Sequence, residues 1–138
     1  MRDLLARTAE LAAEHLDAIG DRHAGAVASF DELRAALGGP LPEAGAPPEL
    51  VVEELARGAS PGLVASPGPR YFGFVTGGAL PAALAADWLT SAWDQNAVFG
   101  VAAPAASAVE EVAGGWLKEL FGLPSDCLLY TSPSPRDS

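Results

Sequence analysis

The amino-acid sequence predicts a mainly α-helical chain. Apolar residues recur at three- and four-residue spacing near both ends of the chain, which is the pattern of amphipathic helices. Clusters of proline and glycine separate these stretches and predict irregular connections between them. The segment 71–75 is too short and too interrupted by glycine to predict a strand.

The first helix is predicted over about residues 4–19. Its apolar residues all fall on one stripe, and Gly20 follows the last of them, as glycine commonly does at a helix end. The stripe consists of Leu4, Leu5, Thr8, Leu11, Ala12, Leu16 and Ile19.

Two shorter helices are predicted before residue 60. Ser29 and Glu32 have the spacing of a capping box, so a helix is predicted from Ser29 to about Leu37. A linker rich in proline, glycine and alanine follows. The next helix is predicted to begin at Pro48 and to end near Gly58.

Two further helices are predicted in the second half of the chain. Helix-forming residues run over about 80–93, after an irregular segment at 60–69 that contains three prolines. Pro104 opens the last helix, and Gly122 and Pro124 end it. The residues along one face of this helix are Val109, Val112, Ala113, Trp116, Leu117, Leu120 and Phe121.

Composition restricts the classes of function. A net charge of −10 argues against nucleic-acid binding, which needs clustered lysine and arginine. The single cysteine, Cys127, excludes a disulfide framework and favours a cytoplasmic setting. No signal peptide is predicted, and the longest apolar run, 79–86, is too short to span a membrane. No metal site is expected at His15 or His23, because neither has a cysteine or carboxylate at ligand spacing.

The apolar stripe of the first helix has no partner close to it in the sequence. Small chains bury a low fraction of their surface, and an uncovered apolar face usually marks an interaction surface. We therefore expect the first helix to project from the rest of the chain and to pack against another subunit. The alternative is that it folds back on the helix around Val51.

An ordered set of short motifs lies between Pro69 and Pro124. The motifs are, in chain order, the aromatic residues Tyr71, Phe72 and Phe74, then Thr76-Gly77-Gly78, a helix start at Pro81-Ala82, Asp94-Gln95-Asn96-Ala97, a helix start at Ala103-Pro104-Ala105, Trp116-Leu117 and Gly122-Leu123-Pro124. In this order they resemble the N-terminal region of the pyridoxal-phosphate-dependent amino-acid decarboxylases. That group includes the aromatic-amino-acid and glutamate decarboxylases.

The resemblance implies that this chain is the N-terminal helical segment of an α/β enzyme with the aspartate-aminotransferase-like fold. It implies a homodimer whose N-terminal helices pack across the subunit interface, and pyridoxal 5'-phosphate held as a Schiff base by a lysine. Residues 1–68 would be helices and linkers that pack in the dimer, and residues 69–126 would begin the cofactor domain. The family's cofactor lysine, aspartate and histidine would lie beyond residue 126, so this chain alone would be inactive.

The resemblance also assigns substrate-binding positions, which are Phe74, Thr76, Trp93, Gln95, Asn96 and Phe99. Residues matching Phe74 and Thr76 line the substrate side of the cofactor in the family. Thr76 also lies shortly before a predicted helix start, where free backbone N–H groups favour an anion. The segment 93–99 matches a patch that reaches toward the partner subunit's active site. The alternatives are an ordinary turn at Gly77-Gly78 and, at 93–99, interface packing with a polar loop.

Lys118 is the only lysine in the chain. It falls one residue off the apolar stripe of the last helix, beside Glu111 and Glu119. A lysine that forms a Schiff base needs a desolvated pocket that lowers its pKa. Lys118 is therefore predicted to be structural, and no residue of this chain is predicted to hold the cofactor covalently.

The aromatic residues favour an aromatic amino acid as the substrate of the parent enzyme. Phe74, Trp93 and Phe99 would give the pocket an apolar wall that suits a buried ring. A glutamate-type substrate would need a cation for its distal carboxylate, and Arg70 is the only one near these residues.

Residues 127–138 do not resemble the continuation of this family. Over Cys127 to Asp137 they match the conceptual translation of a transposon-based sequencing adapter. We therefore expect this segment to be unstructured and exclude it from the fold prediction.

Two other functions remain open. The chain could be a stand-alone helical interaction module without chemistry. It could also belong to another pyridoxal-phosphate enzyme, such as an aminotransferase or a lyase, although the patterns at 74–76 and 93–96 disfavour this.

Overall fold

The computed structural model describes residues 1–127. They form five α-helices and no strand, so the prediction of a mainly α chain is confirmed. The helices are α1 (Arg2–Ala18), α2 (Phe30–Leu37), α3 (Pro48–Ala59), α4 (Pro81–Trp93) and α5 (Pro104–Phe121), and a 3-10 turn at Ser60–Gly62 follows α3. Apart from Cys127, the predicted tail lies outside the described residues.

The chain divides into two compact units. The first, Met1–Leu80, contains α1, α2 and α3, and the second begins at Pro81 and contains α4 and α5. The division predicted at residue 68 follows the family resemblance and stays a prediction.

Helix α3 is the central element of the first unit, because it contacts both α1 and α2. Arg7 of α1 pairs with Glu53 of α3 through Nε and Oε1, 2.5 Å apart. The expectation that the first helix projects from the chain is therefore wrong, and the alternative, folding back on the helix around Val51, is the arrangement found. The contact includes a charge-assisted pair between helices that are distant in sequence, and apolar residues such as Leu11 and Leu55 line the space between the same two helices. Packing against a second subunit is a separate question and stays a prediction.

Helix α2 has the capping box that its sequence predicts. The Glu32 amide donates to Ser29 Oγ at 3.3 Å, and the Ser29 amide donates to Glu32 Oε2 at 2.7 Å. These two bonds satisfy backbone donors that a helix start leaves unpaired. At the other end of α2, Leu37 lies close to Gly58 of α3, where a Cβ would meet the leucine side chain at 2.8 Å. Glycine at this position therefore permits the close approach of α2 to α3.

The two irregular segments of the first unit are joined by backbone hydrogen bonds. The Val27 and Ala28 amides donate to the Pro61 carbonyl at 2.9 and 3.1 Å, and the Ala65 amide donates to the Ala24 carbonyl at 3.0 Å. Ala65 is only 3% exposed at this junction. After the 3-10 turn, the rest of the segment 60–69 is irregular, as the sequence predicts.

Helix α5 of the second unit begins and ends where the sequence predicts. Ala103, which precedes its first residue, is fully buried, and its amide donates to the Phe99 carbonyl at 3.0 Å. At the other end Gly122 has a left-handed backbone with φ of 64°. The Gly122 amide donates to the Glu119 carbonyl and the Leu123 amide to the Lys118 carbonyl, which is a Schellman motif. The Gly122 end signal is therefore confirmed.

Very little side-chain surface is buried within residues 1–127. Ala65 and Ala103 are the buried hydrophobic residues of this part, and no helix in it contains a buried residue. Large apolar side chains such as Trp116 and Phe121 stay exposed. None of the described helices is long and apolar enough to cross a lipid bilayer.

Candidate functional site

Phe74 combines two unusual properties. Its backbone is left-handed, with φ of 54°, and its side chain is 92% exposed. A left-handed backbone costs an L-residue about 1–2 kcal/mol, and it is a genuine outlier for a bulky residue. The exposed ring regains none of this cost by packing within the first unit. Strained residues of this kind cluster at binding and active sites, so the outlier supports a binding role for Phe74.

Thr76 lies two residues further along the same exposed segment. It precedes Gly77 and Gly78, which are also exposed, and the first unit ends at Leu80. Helix α4 starts at Pro81, in the second unit. The anion site predicted at Thr76-Gly77-Gly78 stays a prediction.

The Asp94–Ala97 patch forms a turn directly after α4. Asp94 also has a left-handed backbone, with φ of 46°, which aspartate tolerates better than most residues. Gln95 Nε2 donates to the Trp93 carbonyl at 2.8 Å, and the Val98 amide donates to Asn96 Oδ1 at 3.1 Å. Both polar side chains therefore stabilise the turn that carries them, as Asn side chains often do in loops.

Two aromatic side chains flank this turn. Trp93 ends α4 and Phe99 follows the turn, and both are 62% exposed. The Phe99 carbonyl accepts hydrogen bonds from the amides of Ala102 and Ala103, which directly precede α5. The backbone at Phe99 is thus held while its ring is available for contact.

The six predicted substrate-binding residues are distributed over the two units. Phe74 and Thr76 belong to the first unit. In the second unit, the turn that follows α4 brings Trp93, Gln95 and Asn96 together and Phe99 follows it. Their role in substrate binding stays a prediction.

Lys118 does not fit the role of a lysine that holds pyridoxal phosphate. Its Nζ donates to the Ser125 carbonyl at 2.8 Å, and this bond joins the side chain to the segment that follows α5. Such a lysine also complements the negative end of the helix dipole. An imine-forming lysine must instead be desolvated and face the cofactor. Within residues 1–127, this contact suits the structural role that the sequence predicts for Lys118, and that role stays a prediction.

Arg70, the cation closest in sequence to Phe74, is already engaged. Its Nη2 donates to the Arg22 carbonyl at 2.5 Å. The Arg22 guanidinium in turn donates to the Ser60 carbonyl at 2.7 Å. Sequence reasoning missed this connection, because Arg22 and Ser60 carry no periodic or motif signal.

Sequence reasoning also missed the ion pairs of α1. Arg7 pairs with Glu10 at 3.1 Å and with Glu14 at 3.7 Å, in addition to Glu53. The hydrogen bond that Arg7 donates to Glu53 raises the pKa of the Arg7 guanidinium and lowers the pKa of the Glu53 carboxyl group. The spacing of Arg7, Glu10 and Glu14 on one helix face is the signal that could have indicated a charged contact.

A cavity of about 700 Å³ lies between α1 and α3. Its lining is mixed, with apolar and charged residues that include Leu11, His15, Leu55, Arg57 and Leu63. None of the six predicted substrate-binding residues lines it.

Comparison with known proteins gives one curated relative of note. The chain is 33% identical over 101 residues to a protein named Tryptophan decarboxylase 1 from Oryza sativa subsp. japonica. The aligned region covers 73% of this chain and 19% of the rice protein, so the chain spans about a fifth of the length of this relative. No family model matches the chain. No solved structure matches it either.

Proposed function

We propose that residues 1–126 are the N-terminal part of a pyridoxal-phosphate-dependent decarboxylase that acts on an aromatic L-amino acid. The observation that carries this proposal is the 33% identity over 101 residues to the rice tryptophan decarboxylase. The residues quoted for the family resemblance, from Tyr71 to Pro124, overlap the stretch that this alignment covers and agree with the same origin.

The geometry of Phe74 supports a contact surface for an aromatic ring. An exposed ring on a strained backbone is costly for this chain alone. A contact between two aromatic rings would contribute about 0.5–1.5 kcal/mol in addition to the free energy gained by burying their apolar area. Trp93 and Phe99 offer similar exposed rings in the second unit.

The engagement of Arg70 supports an aromatic substrate over an acidic one. A distal carboxylate would require a guanidinium or ammonium group free to bind it. Arg70 instead donates to a main-chain carbonyl. We therefore propose an apolar substrate wall near Phe74.

The cofactor would be bound by residues outside this chain. When bound, pyridoxal phosphate supplies an electron sink for the carbanion that loss of carbon dioxide leaves. The role we propose for this chain is to shape the substrate side of the pocket through Phe74 and Thr76. By the family resemblance, Trp93, Gln95, Asn96 and Phe99 contribute to the active site of the partner subunit in a cytoplasmic homodimer.

A second candidate is a helical interaction module without chemistry. The exposure of most large apolar side chains of residues 1–127 favours a protein that completes its core by binding another chain. Arg7, Glu10 and Glu14 of α1 are paired within the unit, and we propose that the exposed apolar side chains would provide the contact.

Sequencing the source gene beyond the codon for Asp126 distinguishes the two. The decarboxylase proposal predicts an open reading frame that continues for several hundred residues and contains a cofactor lysine, as the 19% coverage of the rice protein implies. A genuine stop codon shortly after Asp126 would contradict it and favour the interaction module.

A further inference from the structure

The side chains of Arg22 and Arg70 connect the irregular segments of the first unit. Arg22 Nη2 donates to the Ser60 carbonyl at 2.7 Å, and both of its Nη atoms lie 3.4 Å from Ser60 Oγ. Arg70 Nη2 donates to the Arg22 carbonyl at 2.5 Å. Hydrogen bonds therefore run from the end of α3 through Arg22 to Arg70. We call Arg22, Ser60 and Arg70 together the arginine clasp.

Main-chain hydrogen bonds support the same connection. The Ala65 amide donates to the Ala24 carbonyl at 3.0 Å, and the Gly68 amide donates to the Ala65 carbonyl at 2.9 Å. The Tyr71 amide donates to the Gly68 carbonyl at 3.3 Å. Successive bonds thus hold the segment 60–71 up to the point where the exposed aromatic residues begin.

Phe74 lies only four residues beyond Arg70. A strained, left-handed phenylalanine keeps its conformation only where the surrounding structure determines it. Phe74 is 92% exposed, so packing of its side chain does not supply that restraint. The backbone that leads to this segment is held as far as Tyr71 by the arginine clasp and by main-chain hydrogen bonds.

We propose that Arg70 is a positioning residue, which with Arg22 and Ser60 fixes the base of the segment that presents Phe74 and Thr76 to the substrate. The substrate-facing role of these two residues rests on the proposed function, whereas the restraint on the segment does not. The proposal differs from a direct role for Arg70 in binding a substrate carboxylate, because its guanidinium is bound to a main-chain carbonyl.

Hydrogen–deuterium exchange of the full 138-residue chain tests the restraint. Arg70→Gln removes the charge-assisted bond, whose loss corresponds to about tenfold faster local exchange. The increase should be confined to residues 24–28 and 65–71 and should spare α5. Arg70→Lys, which keeps a charged donor, should restore much of the protection.

Arg57→Gln is the matched control for the loss of one arginine charge, because the described part of the chain shows no hydrogen bond or ion pair at the Arg57 side chain. It should leave exchange at 24–28 and 65–71 unchanged. If Arg70→Gln does not fold, Ser60→Ala provides a milder change, because it removes the Oγ acceptor of Arg22 and leaves the carbonyl. Unchanged exchange in the clasp variants, or an increase spread over the whole chain, would overturn the proposal.

Kinetics of the full-length enzyme test the consequence for substrate. Arg70→Gln should raise KM for an aromatic amino acid about tenfold with a smaller change in kcat, and Arg70→Lys should rescue it. A raised KM without any change in local exchange would show direct substrate contact and would contradict positioning. If the full-length protein releases no carbon dioxide, the proposed function fails, and the exchange measurement still decides the restraint.

Discussion

At the scale of single residues, the packing of this chain does not explain the conformation of Phe74. Its left-handed backbone carries a cost, and its exposed ring gives little packing in return. Phe72, two residues earlier, is also about 90% exposed but does not have a positive φ. Comparing variants of Phe72 and Phe74 therefore separates the free-energy cost of a left-handed backbone from the effect of an exposed ring.

We predict that Phe74→Gly leaves the stability of this chain unchanged or raises it by up to about 1 kcal/mol. Glycine adopts positive φ freely, which removes the strain, although it adds entropy to the unfolded chain. Phe72→Gly is the control, because it loses an equally exposed ring without relieving strain. Urea unfolding followed by circular dichroism measures both variants. A Phe74→Gly variant less stable than Phe72→Gly would show that Phe74 packs.

The Arg7–Glu53 pair leads to a prediction about pH. The pKa of Glu53 is lowered by the Arg7 hydrogen bond, so the pair contributes stability above the unfolded value of about 4.3. That contribution is lost as the pH falls through the lowered pKa. The thermal midpoint of the wild-type chain should therefore fall more steeply below about pH 4 than that of Glu53→Gln.

Glu54→Gln is the control for this pH prediction. Glu54 is exposed and adjacent to Glu53, and its side chain forms no ion pair within residues 1–127. The thermal midpoint of Glu54→Gln should therefore fall with pH as steeply as that of the wild-type chain. Because the Arg7 and Glu53 side chains are both partly exposed, the effect should be small and should weaken with added salt. If the thermal midpoints of the wild-type chain and of Glu53→Gln changed in parallel with pH, the pH effect could not be assigned to the Arg7–Glu53 pair.

At the scale of elements, the helix ends were predictable and the packing of the helices was not. The capping box at Ser29 and the glycine stop at Gly122 depend on residues within one turn of the helix end, so the sequence contains the whole signal. The docking of α1 on α3 is a long-range contact that includes the pair of Arg7 with Glu53, 46 positions apart. No local pattern specifies such a pair, and for that reason the expected projection of α1 was wrong.

Loss of the cap of α2 should have a defined cost. Ser29→Ala removes the acceptor of the Glu32 amide and should lower the free energy of unfolding by about 1 kcal/mol. Ser29→Thr keeps a hydroxyl acceptor and should lose much less. Denaturant unfolding of the two variants checks this. Equal stability of Ser29→Ala and the wild-type chain would show that α2 is held by its contact with α3 alone.

At the scale of the whole molecule, the described residues expose more apolar surface than a closed domain does. Ala65 and Ala103 are buried, whereas Trp93, Trp116 and Phe121 stay exposed. Exposed apolar surface on this scale usually marks an interface. The proposal that residues 1–126 belong to a larger decarboxylase accounts for it, because the rest of the subunit and its partner would cover these faces.

The candidate site could be predicted from the sequence only as a set of positions. The family motifs indicated Phe74, Thr76 and the 93–99 segment, but not the strain at Phe74. They also did not indicate that Gln95 and Asn96 bond to their own turn. Motifs report which residue types occur in which order. Backbone conformation and hydrogen-bond partners depend on the folded chain, so these features emerged only from the structure.

Carbon dioxide release by the full-length protein tests the central claim most directly. The complete gene would be expressed with pyridoxal phosphate, and release would be measured from tryptophan, tyrosine, glutamate and diaminobutyrate. The account predicts release with the highest kcat/KM for tryptophan or tyrosine, reduced in Phe74→Gly because the ring contact is lost. No release from any of these amino acids, or a strong preference for glutamate that disappears in Arg70→Gln, would contradict it.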